Sequence, residues 1–488
     1  MAFLKIVTKL LYFMSTMSMF AKSNQSSGIE RCERSLSEPL KQRLCELRQY
    51  IIIEEAGEEN HVYCIFSEFG YLTEQGDVKI ERIIKDFSLT HYLNKQVNSS
   101  IEKCNASTQK AKDKKAFVFF ECMVYSDSFE QWRDVIDFRE IYGNNDPGTA
   151  YNPETVAKEV RKIDGNLCPT SRCRDEDEED IEEQTNVSFS PDDALFIYTR
   201  CFDLHVGDGN TAREQAATVW MIFEGISNEA KCFTKCVLEN LKIYSPAGGF
   251  KSNTFSAQFD DYGDYLDINE EQYNIFLSNL ERKSAAEDSC EKVHISFIDI
   301  YRSYGEIIQK LLHHPNQTKS IFNRNLPHIK LPHETYPAFC ERNYQDVLHG
   351  KLCEVRKFLH DDQHKDSLKE LISCIFKGFR YLSASNDVKA SEVRRDFALI
   401  GKLNRQSSKD IHVCTVKAQQ TCADERAYYL YGCLLNSTSS TDFKEAFENK
   451  EIISGNYDRV INGVSYNREQ VQAEIRQIDS KICTGATK

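Results

Sequence analysis

An internal duplication constrains this chain of 488 residues more than any other feature of its sequence. Six cysteines near the N-terminus recur in the same order near the C-terminus. The two sets are Cys32, Cys45, Cys64, Cys104, Cys122 and Cys168, and Cys340, Cys353, Cys374, Cys414, Cys433 and Cys483. Between the cysteines, Asp77-Val78-Lys79 returns as Asp387-Val388-Lys389. This self-similarity predicts two copies of one domain, at residues 29–170 and 337–485.

A different segment separates the two copies. Residues 190–312 contain four cysteines and are predicted to form a third domain; these are Cys201, Cys232, Cys236 and Cys290. Residues 171–189 include a run of six acidic residues, which is typical of a solvated linker. Residues 313–336 contain three prolines and are predicted to be a second linker.

Apolar residues recur at helical spacing in both copies, which predicts an all-α fold. The positions that form these stripes are Val156, Val160 and Ile163, and Val471, Ile475 and Ile478. Asn152-Pro153, just before the first stripe, is a typical helix start. Long stretches rich in Glu, Lys and Arg without alternating β-branched residues argue against a sheet.

The cysteine content and the N-terminus predict a secreted protein. Eighteen cysteines are present without a Cys-x-x-Cys pair, so disulfides explain them better than zinc or redox motifs. Residues 1–22 are predicted to be a signal peptide, with an apolar stretch too short to span a membrane. The net charge of −14 disfavours a nucleic-acid partner. No metal or cofactor motif occurs, so neither is expected.

Several segments resemble one known family. They are Tyr198–Cys201, Lys231–Cys236, Phe339–Glu341, Leu352–Arg356 and Asp442–Phe447. In cysteine order and sequence they resemble the long-form salivary "D-seven" proteins of blood-feeding flies, which belong to the insect odorant-binding-protein superfamily. The resemblance implies three disulfide-linked helical domains, of which the N-terminal one is an additional copy of the family's C-terminal domain.

The resemblance also implies eight disulfides. They are Cys32–Cys64, Cys45–Cys168, Cys104–Cys122, Cys201–Cys236, Cys232–Cys290, Cys340–Cys374, Cys353–Cys483 and Cys414–Cys433. Cys173 and Cys422 remain. Spacing alone leaves open whether these two pair with each other or stay free.

In the first copy, the resemblance implies a pocket for biogenic amines. Its residues would be Arg48, His61, Phe120, Ile136, Asp137 and Glu140. Asp137 and Glu140 are at i and i+3, on one helix face, and would bind the ammonium group. Each residue taken alone has a plainer explanation: a solvated acidic face, a packed histidine, or an arginine paired with a nearby glutamate.

In the last copy, the same resemblance predicts a weaker amine site. Its residues would be Arg356, Tyr431, Phe447, Glu448 and Glu451. Leu371 stands where His61 stands in the first copy, which removes a polar contact worth about 1 kcal/mol. In the middle domain a lipid site is predicted at Trp220, Phe223, Phe233 and Tyr244, although ordinary core packing explains these aromatics equally well.

Together with the cysteine content and the N-terminus, the resemblance implies a secreted, monomeric, non-enzymatic scavenger in saliva. By the same resemblance it would bind serotonin, histamine or catecholamines, and also eicosanoids such as cysteinyl leukotrienes, countering vasoconstriction, platelet aggregation and inflammation during blood feeding. No nucleophile or metal set accompanies the acidic pair, so catalysis is not expected. Two alternatives stay open: an odorant- or pheromone-type carrier of apolar ligands, and an inhibitor of a coagulation protein.

Overall fold

The chain forms two compact units, Met1–Thr170 and Ser171–Lys488. A computed structural model describes residues 27–111, 114–143, 151–168, 188–205, 227–246, 249–283, 289–314, 317–324, 326–343, 352–360, 365–383, 386–455 and 465–484. The first unit corresponds to the first copy, and the second unit contains the middle domain and the last copy. Below, these three parts are called the first, middle and last modules.

The first module is a bundle of helices in its described residues. The helices are α1 (Gly28–Arg34), α2 (Glu38–Gln42), α3 (Leu44–Arg48), α4 (Glu58–Glu68), α5 (Ile80–Leu89), α6 (Lys95–Thr108), α7 (Lys115–Val124), α8 (Phe129–Tyr142) and α9 (Pro153–Leu167). Helix α9 begins where the sequence predicts, because the Asn152 side chain accepts a hydrogen bond from the Thr155 amide and Pro153 follows it. Val156 of the predicted stripe is buried.

An aromatic cluster fills the centre of the first module. The fully buried Trp132 of α8 packs against Phe87 of α5, with ring centroids 6.1 Å apart, and against Phe119 of α7 at 6.0 Å. Burying such large rings is a main source of stability in a small domain. The cluster fixes α8, the helix that carries the predicted acidic pair.

The second unit is also almost entirely helical where it is described. The middle module contains α10 (Pro191–His205), α11 (Asn228–Asn240), α12 (Asn253–Leu266), α13 (Glu270–Glu281), α14 (Cys290–Leu311) and α15 (Lys319–Phe322), with a short antiparallel hairpin of β1 (Tyr244–Ser245) and β2 (Gly249–Phe250). The last module contains α16 (Tyr336–Asn343), α17 (Leu352–Val355), α18 (Lys365–Gly378), α19 (Ala390–Leu399), α20 (Arg405–Gln419), α21 (Arg426–Leu435), α22 (Ser440–Gly455) and α23 (Arg468–Thr484). The all-α prediction is therefore confirmed.

The segment 313–336 differs from the predicted linker. Ile321 and Ile329 are buried in the hydrophobic core of the middle module. His313 is buried as well, and one of its ring nitrogens lies 2.9 Å from the Gln258 side chain. Part of this segment therefore belongs to the middle module, because its apolar residues have a core to join. The prolines indicated irregular backbone, which is compatible with packing.

All eight implied disulfides are present in the structure. Cys422 is disulfide-bonded rather than free, whereas Cys173 lies outside the described residues. Each long-range disulfide lowers the entropy of the unfolded chain and commonly stabilises a fold by about 2–4 kcal/mol. Among the described helices, none is long and apolar enough to cross a membrane.

Candidate ligand pocket

The six predicted residues of the first module surround one small cavity of about 40 Å³. Helices α1, α3, α4, α7, α8 and α9 all contribute to its wall. The lining residues are Ile29, Glu33, Leu47, Arg48, Tyr50, Ile51, Glu58, His61, Val62, Ile65, Phe120, Ile136, Asp137, Glu140, Val160 and Asp164. Eight of these sixteen residues are apolar, and Arg48 forms one charged cluster with Glu33, Glu140 and Asp164, called the charged end below.

Arg48 lies at the charged end and contacts three carboxylates. Its Nε is 2.5 Å from Glu33 Oε1, its Nη2 is 3.0 Å from Glu140 Oε1, and its Nη1 is 3.2 Å from Asp164 Oδ1. The Arg48 side chain is only 4% exposed. One buried guanidinium faces three carboxylates here, so the end of the pocket has an excess of negative charge that suits a cation.

Asp137 and Glu140 both face the cavity from α8. Asp137 Oδ1 accepts a hydrogen bond of 2.8 Å from the Tyr50 hydroxyl. Burial raises the pKa of Asp137 to about 7, although Arg133 and the Tyr50 hydrogen bond act in the opposite direction. Burial also raises the pKa of Glu140, against the lowering effect of Arg48. A bound ammonium group would stabilise both ionised carboxylates.

His61 lines the cavity from α4. Within the described residues, its buried Nδ1 has no hydrogen-bond partner. Burial lowers the pKa of His61 to about 4, and the positive charge of Arg48 adds to this effect. The imidazole is therefore neutral near pH 7. An unsatisfied buried nitrogen carries a free-energy cost that a polar ligand group would remove.

Sequence reasoning missed four polar residues of this cavity: Glu33, Tyr50, Glu58 and Asp164. Glu58 accepts hydrogen bonds from the amides of Ile53 and Glu54, so it closes the loop before α4. The repeat contained a usable signal for two of the others. Glu33 and Asp164 correspond by cysteine offset to Glu341 and Asp479, which line the equivalent cavity of the last module.

The last module contains an equivalent cavity of about 30 Å³. It is lined by all five residues predicted there, namely Arg356, Tyr431, Phe447, Glu448 and Glu451. Arg356 Nε lies 2.8 Å from Glu341 Oε1, and its Nη1 lies 3.1 Å from Glu451 Oε1. Burial raises the pKa of Glu451, opposed by Arg356.

Several positions differ between the two cavities, and three of them change the polar groups at the wall. Leu371 is fully buried at the position of His61, so that polar contact is absent. Phe358 replaces Tyr50 and cannot donate a hydrogen bond to Glu448, the counterpart of Asp137. Tyr431 lines the cavity in place of Phe120 and adds a hydroxyl group at that position. The two cavities share their acidic end but differ in the groups around it.

The four predicted residues of the middle module are placed only in part. Trp220 and Phe223 lie outside the described residues. Phe233 and Tyr244 are buried in the hydrophobic core of that module. Their burial is compatible both with core packing and with the wall of a lipid site. No group of His, Cys, Asp and Glu suited to a metal ion occurs among the residues that are described.

The cysteine framework and the helical cavities define an insect odorant-binding type of protein. The PBP/GOBP family model matches residues 23–125 and 210–297, so these two segments are similar to that family. It is similar to the long form salivary proteins D7L2 of Anopheles darlingi (26% identity, 61% of this chain and 92% of the relative) and D7L1 of Aedes aegypti (28% identity, 60% and 93%).

Solved structures show the same similarity. The chain is similar to the "AeD7-leukotriene E4 complex", with a TM-score of 0.51 and 26% identity over 57% of this chain and 95% of that one. It is also similar to the "AnSt-D7L1-U46619 complex", with a TM-score of 0.52 and 25% identity over 60% of this chain and 97% of that one. The relatives are salivary proteins by name, and both of these structures contain a small-molecule ligand.

Proposed function

We propose that the first module binds a biogenic amine in its acidic cavity and thereby removes that mediator from solution. The observation that carries the proposal is the convergence of Asp137, Glu140 and His61 on one buried cavity. The two carboxylates suit an ammonium group, the apolar wall suits an aromatic ring, and the unsatisfied His61 nitrogen suits a ring hydroxyl. The last module would bind amines less tightly, because Leu371 removes the histidine contact.

An aromatic amine is larger than the present cavity. A volume of about 40 Å³ has room for about three water molecules. Tyr50 forms part of the wall: its ring lies 6.1 Å from that of Phe120, and its hydroxyl donates a hydrogen bond to Asp137. Amine binding therefore requires Tyr50 or a neighbouring wall residue to move, with the ammonium group replacing the phenol as a donor to Asp137.

Serotonin should bind the full chain about tenfold more tightly at pH 8 than at pH 6. With a pKa of about 7, Asp137 is mostly protonated at pH 6 and mostly ionised at pH 8. An alkylammonium stays charged across this range, so affinity follows the ionised carboxylate. Isothermal titration calorimetry at both pH values measures the change. 5-Hydroxyindole, which has the ring but no ammonium, is the matched ligand; equal pH dependence of both ligands would contradict the proposal.

A second candidate function concerns the middle module, which we propose as a site for an eicosanoid lipid. The likeness to the AeD7 complex with leukotriene E4 favours it. Leukotriene E4 should bind the full chain with the same affinity whether or not serotonin is present at saturation. The Trp220→Ala variant should bind it about tenfold more weakly, because an aromatic side chain is lost from an apolar site. Displacement of the lipid by serotonin would place both ligands in one pocket.

The two alternatives predict different results. A carrier of apolar ligands would show no preference for serotonin over 5-hydroxyindole in the first module. An inhibitor of coagulation would prolong clotting to the same extent when amine saturates the protein. Both measurements use the intact chain.

A further inference from the structure

The wall of the last cavity is connected to the middle module. Helix α16 contributes Pro337 and Glu341 to the cavity, and Thr335, just before the helix, donates a hydrogen bond of 3.2 Å to Glu451 Oε1. Tyr336, the first residue of α16, donates its hydroxyl hydrogen bond to Asp192 in α10 of the middle module. Both side chains are buried.

Further contacts fix this connection. Lys330 Nζ lies 3.0 Å from Asp192 Oδ1 and 5.5 Å from the centre of the Tyr336 ring. The Tyr336 amide donates to Ser454 Oγ at 2.9 Å, and Ser454 Oγ donates to the Glu451 carbonyl at 2.7 Å. Tyr336 is therefore hydrogen-bonded through its side chain to the middle module and through its backbone to α22, the helix that carries Glu448 and Glu451.

The comparison between the two copies shows that this contact is specific to the last module. Tyr336 corresponds to Gly28 by cysteine offset, and Gly378, next to Tyr336, corresponds to Glu68. A side chain at Gly378 would overlap the Tyr336 ring, whereas in the first module Gly28 lies against Glu68. The large and small residues have thus exchanged places. In the last module the exchange makes room for a tyrosine whose hydroxyl reaches Asp192.

We propose that Asp192 of the middle module is a positioning residue for the last cavity, acting through Tyr336 on helix α16. Three residues move with this helix: Thr335, Pro337 and Glu341. Thr335 donates a hydrogen bond to Glu451, and Glu341 forms an ion pair with Arg356. The geometry of the amine end therefore depends on a residue of another module. By thermodynamic reciprocity, a ligand in the last cavity also stabilises the Asp192–Tyr336 contact. The ligand part of this inference rests on the amine function proposed above.

The test uses the full chain with Asp137→Asn and Glu140→Gln, so that serotonin titrates the last cavity alone. Adding Tyr336→Phe or Asp192→Asn should weaken serotonin binding about threefold to tenfold. Glu392→Gln is the matched control: it removes an ion pair with Arg200, whose Nε lies 3.0 Å from Glu392 Oε1. That pair joins the same two modules without touching α16, so its loss should leave the affinity unchanged.

Hydrogen exchange separates the positioning role from the amine function. The amides of Tyr336–Asn343 should exchange faster in the Tyr336→Phe and Asp192→Asn variants than in the parent chain and in Glu392→Gln. Unchanged exchange in all variants would overturn the positioning role. Faster exchange together with no serotonin binding in the parent would keep that role and refute the amine function of the last cavity. Equal loss of affinity in Glu392→Gln would show a general effect of module contact and overturn the proposal.

Discussion

Replacing Asp137 by Asn and Glu140 by Gln together should weaken serotonin binding by the first module at least about a hundredfold. Each carboxylate is expected to make a charge-assisted hydrogen bond to the ammonium group, worth about 1.5–3 kcal/mol. Glu140 is buried and Asp137 is partly buried at the cavity, so water replaces the lost contacts only in part. Isothermal titration calorimetry on the full chain measures the loss of affinity. All variants also carry Glu451→Gln, which weakens serotonin binding by the last cavity.

The matched control is Glu130→Gln, which removes one negative charge from the same helix α8 without altering the cavity lining. Its affinity should stay within about twofold of the parent, because a charge outside the cavity is screened by solvent. The far-ultraviolet circular dichroism of all variants should be equal. If the double variant binds like the parent, the acidic pair is not the ammonium site.

The family resemblance implied the residues of this cavity, and they could be located in this chain because several lie at short distances from cysteines. Arg48 lies three residues after Cys45, His61 lies three before Cys64, and Phe120 lies two before Cys122. Each disulfide holds the backbone near these side chains in one geometry. Asp137 and Glu140 add the regular spacing of a helix. Where sequence distance is short and the local structure is regular, position in the chain determines position in space.

The remaining polar residues depend on features that spacing does not reveal. Tyr50 lies in a left-handed backbone conformation, with φ of 60°, which turns its ring back toward Asp137. Asp164 belongs to α9 and meets Arg48 only because the bundle brings distant helices together. Glu33 was overlooked although its repeat partner, Glu341, has the same role. Tertiary packing, rather than local sequence, decides these contacts.

The Asp192–Tyr336 contact could not be predicted from the sequence, although the repeat marks its position. The exchange of large and small residues between the copies is visible in the sequence, but its consequence is not. Only the packing of α10 against the last module shows where the tyrosine hydroxyl goes. Differences between duplicated modules are therefore as informative as the matched positions, because they mark where each copy meets different neighbours.

Replacing Asp86 by Ala should destabilise the first module by about 3–5 kcal/mol, the largest stability effect we expect. Asp86 accepts a hydrogen bond of 2.7 Å from Arg139 Nε and one of 2.8 Å from the Tyr71 hydroxyl, and both charged side chains are fully buried. Removing the carboxylate leaves the Arg139 charge in the protein interior without its partner. Urea unfolding followed by Trp132 fluorescence, in a Trp220→Phe background, measures the change.

Two further variants separate the buried charge from other effects of the substitution. Asp86→Ala combined with Arg139→Met should recover most of the lost stability, because no unpaired charge remains. Glu68→Ala removes an ion pair with Arg31 that is partly exposed: the side chains are 47% exposed for Arg31 and 31% exposed for Glu68. This variant should lower the free energy of unfolding by less than about 1 kcal/mol. Arg139 lies next to Glu140 on α8, so the Asp86–Arg139 ion pair also holds Asp137 and Glu140 at the cavity. Equal destabilisation in the single and double variants would mean that packing, not the buried charge, stabilises this helix.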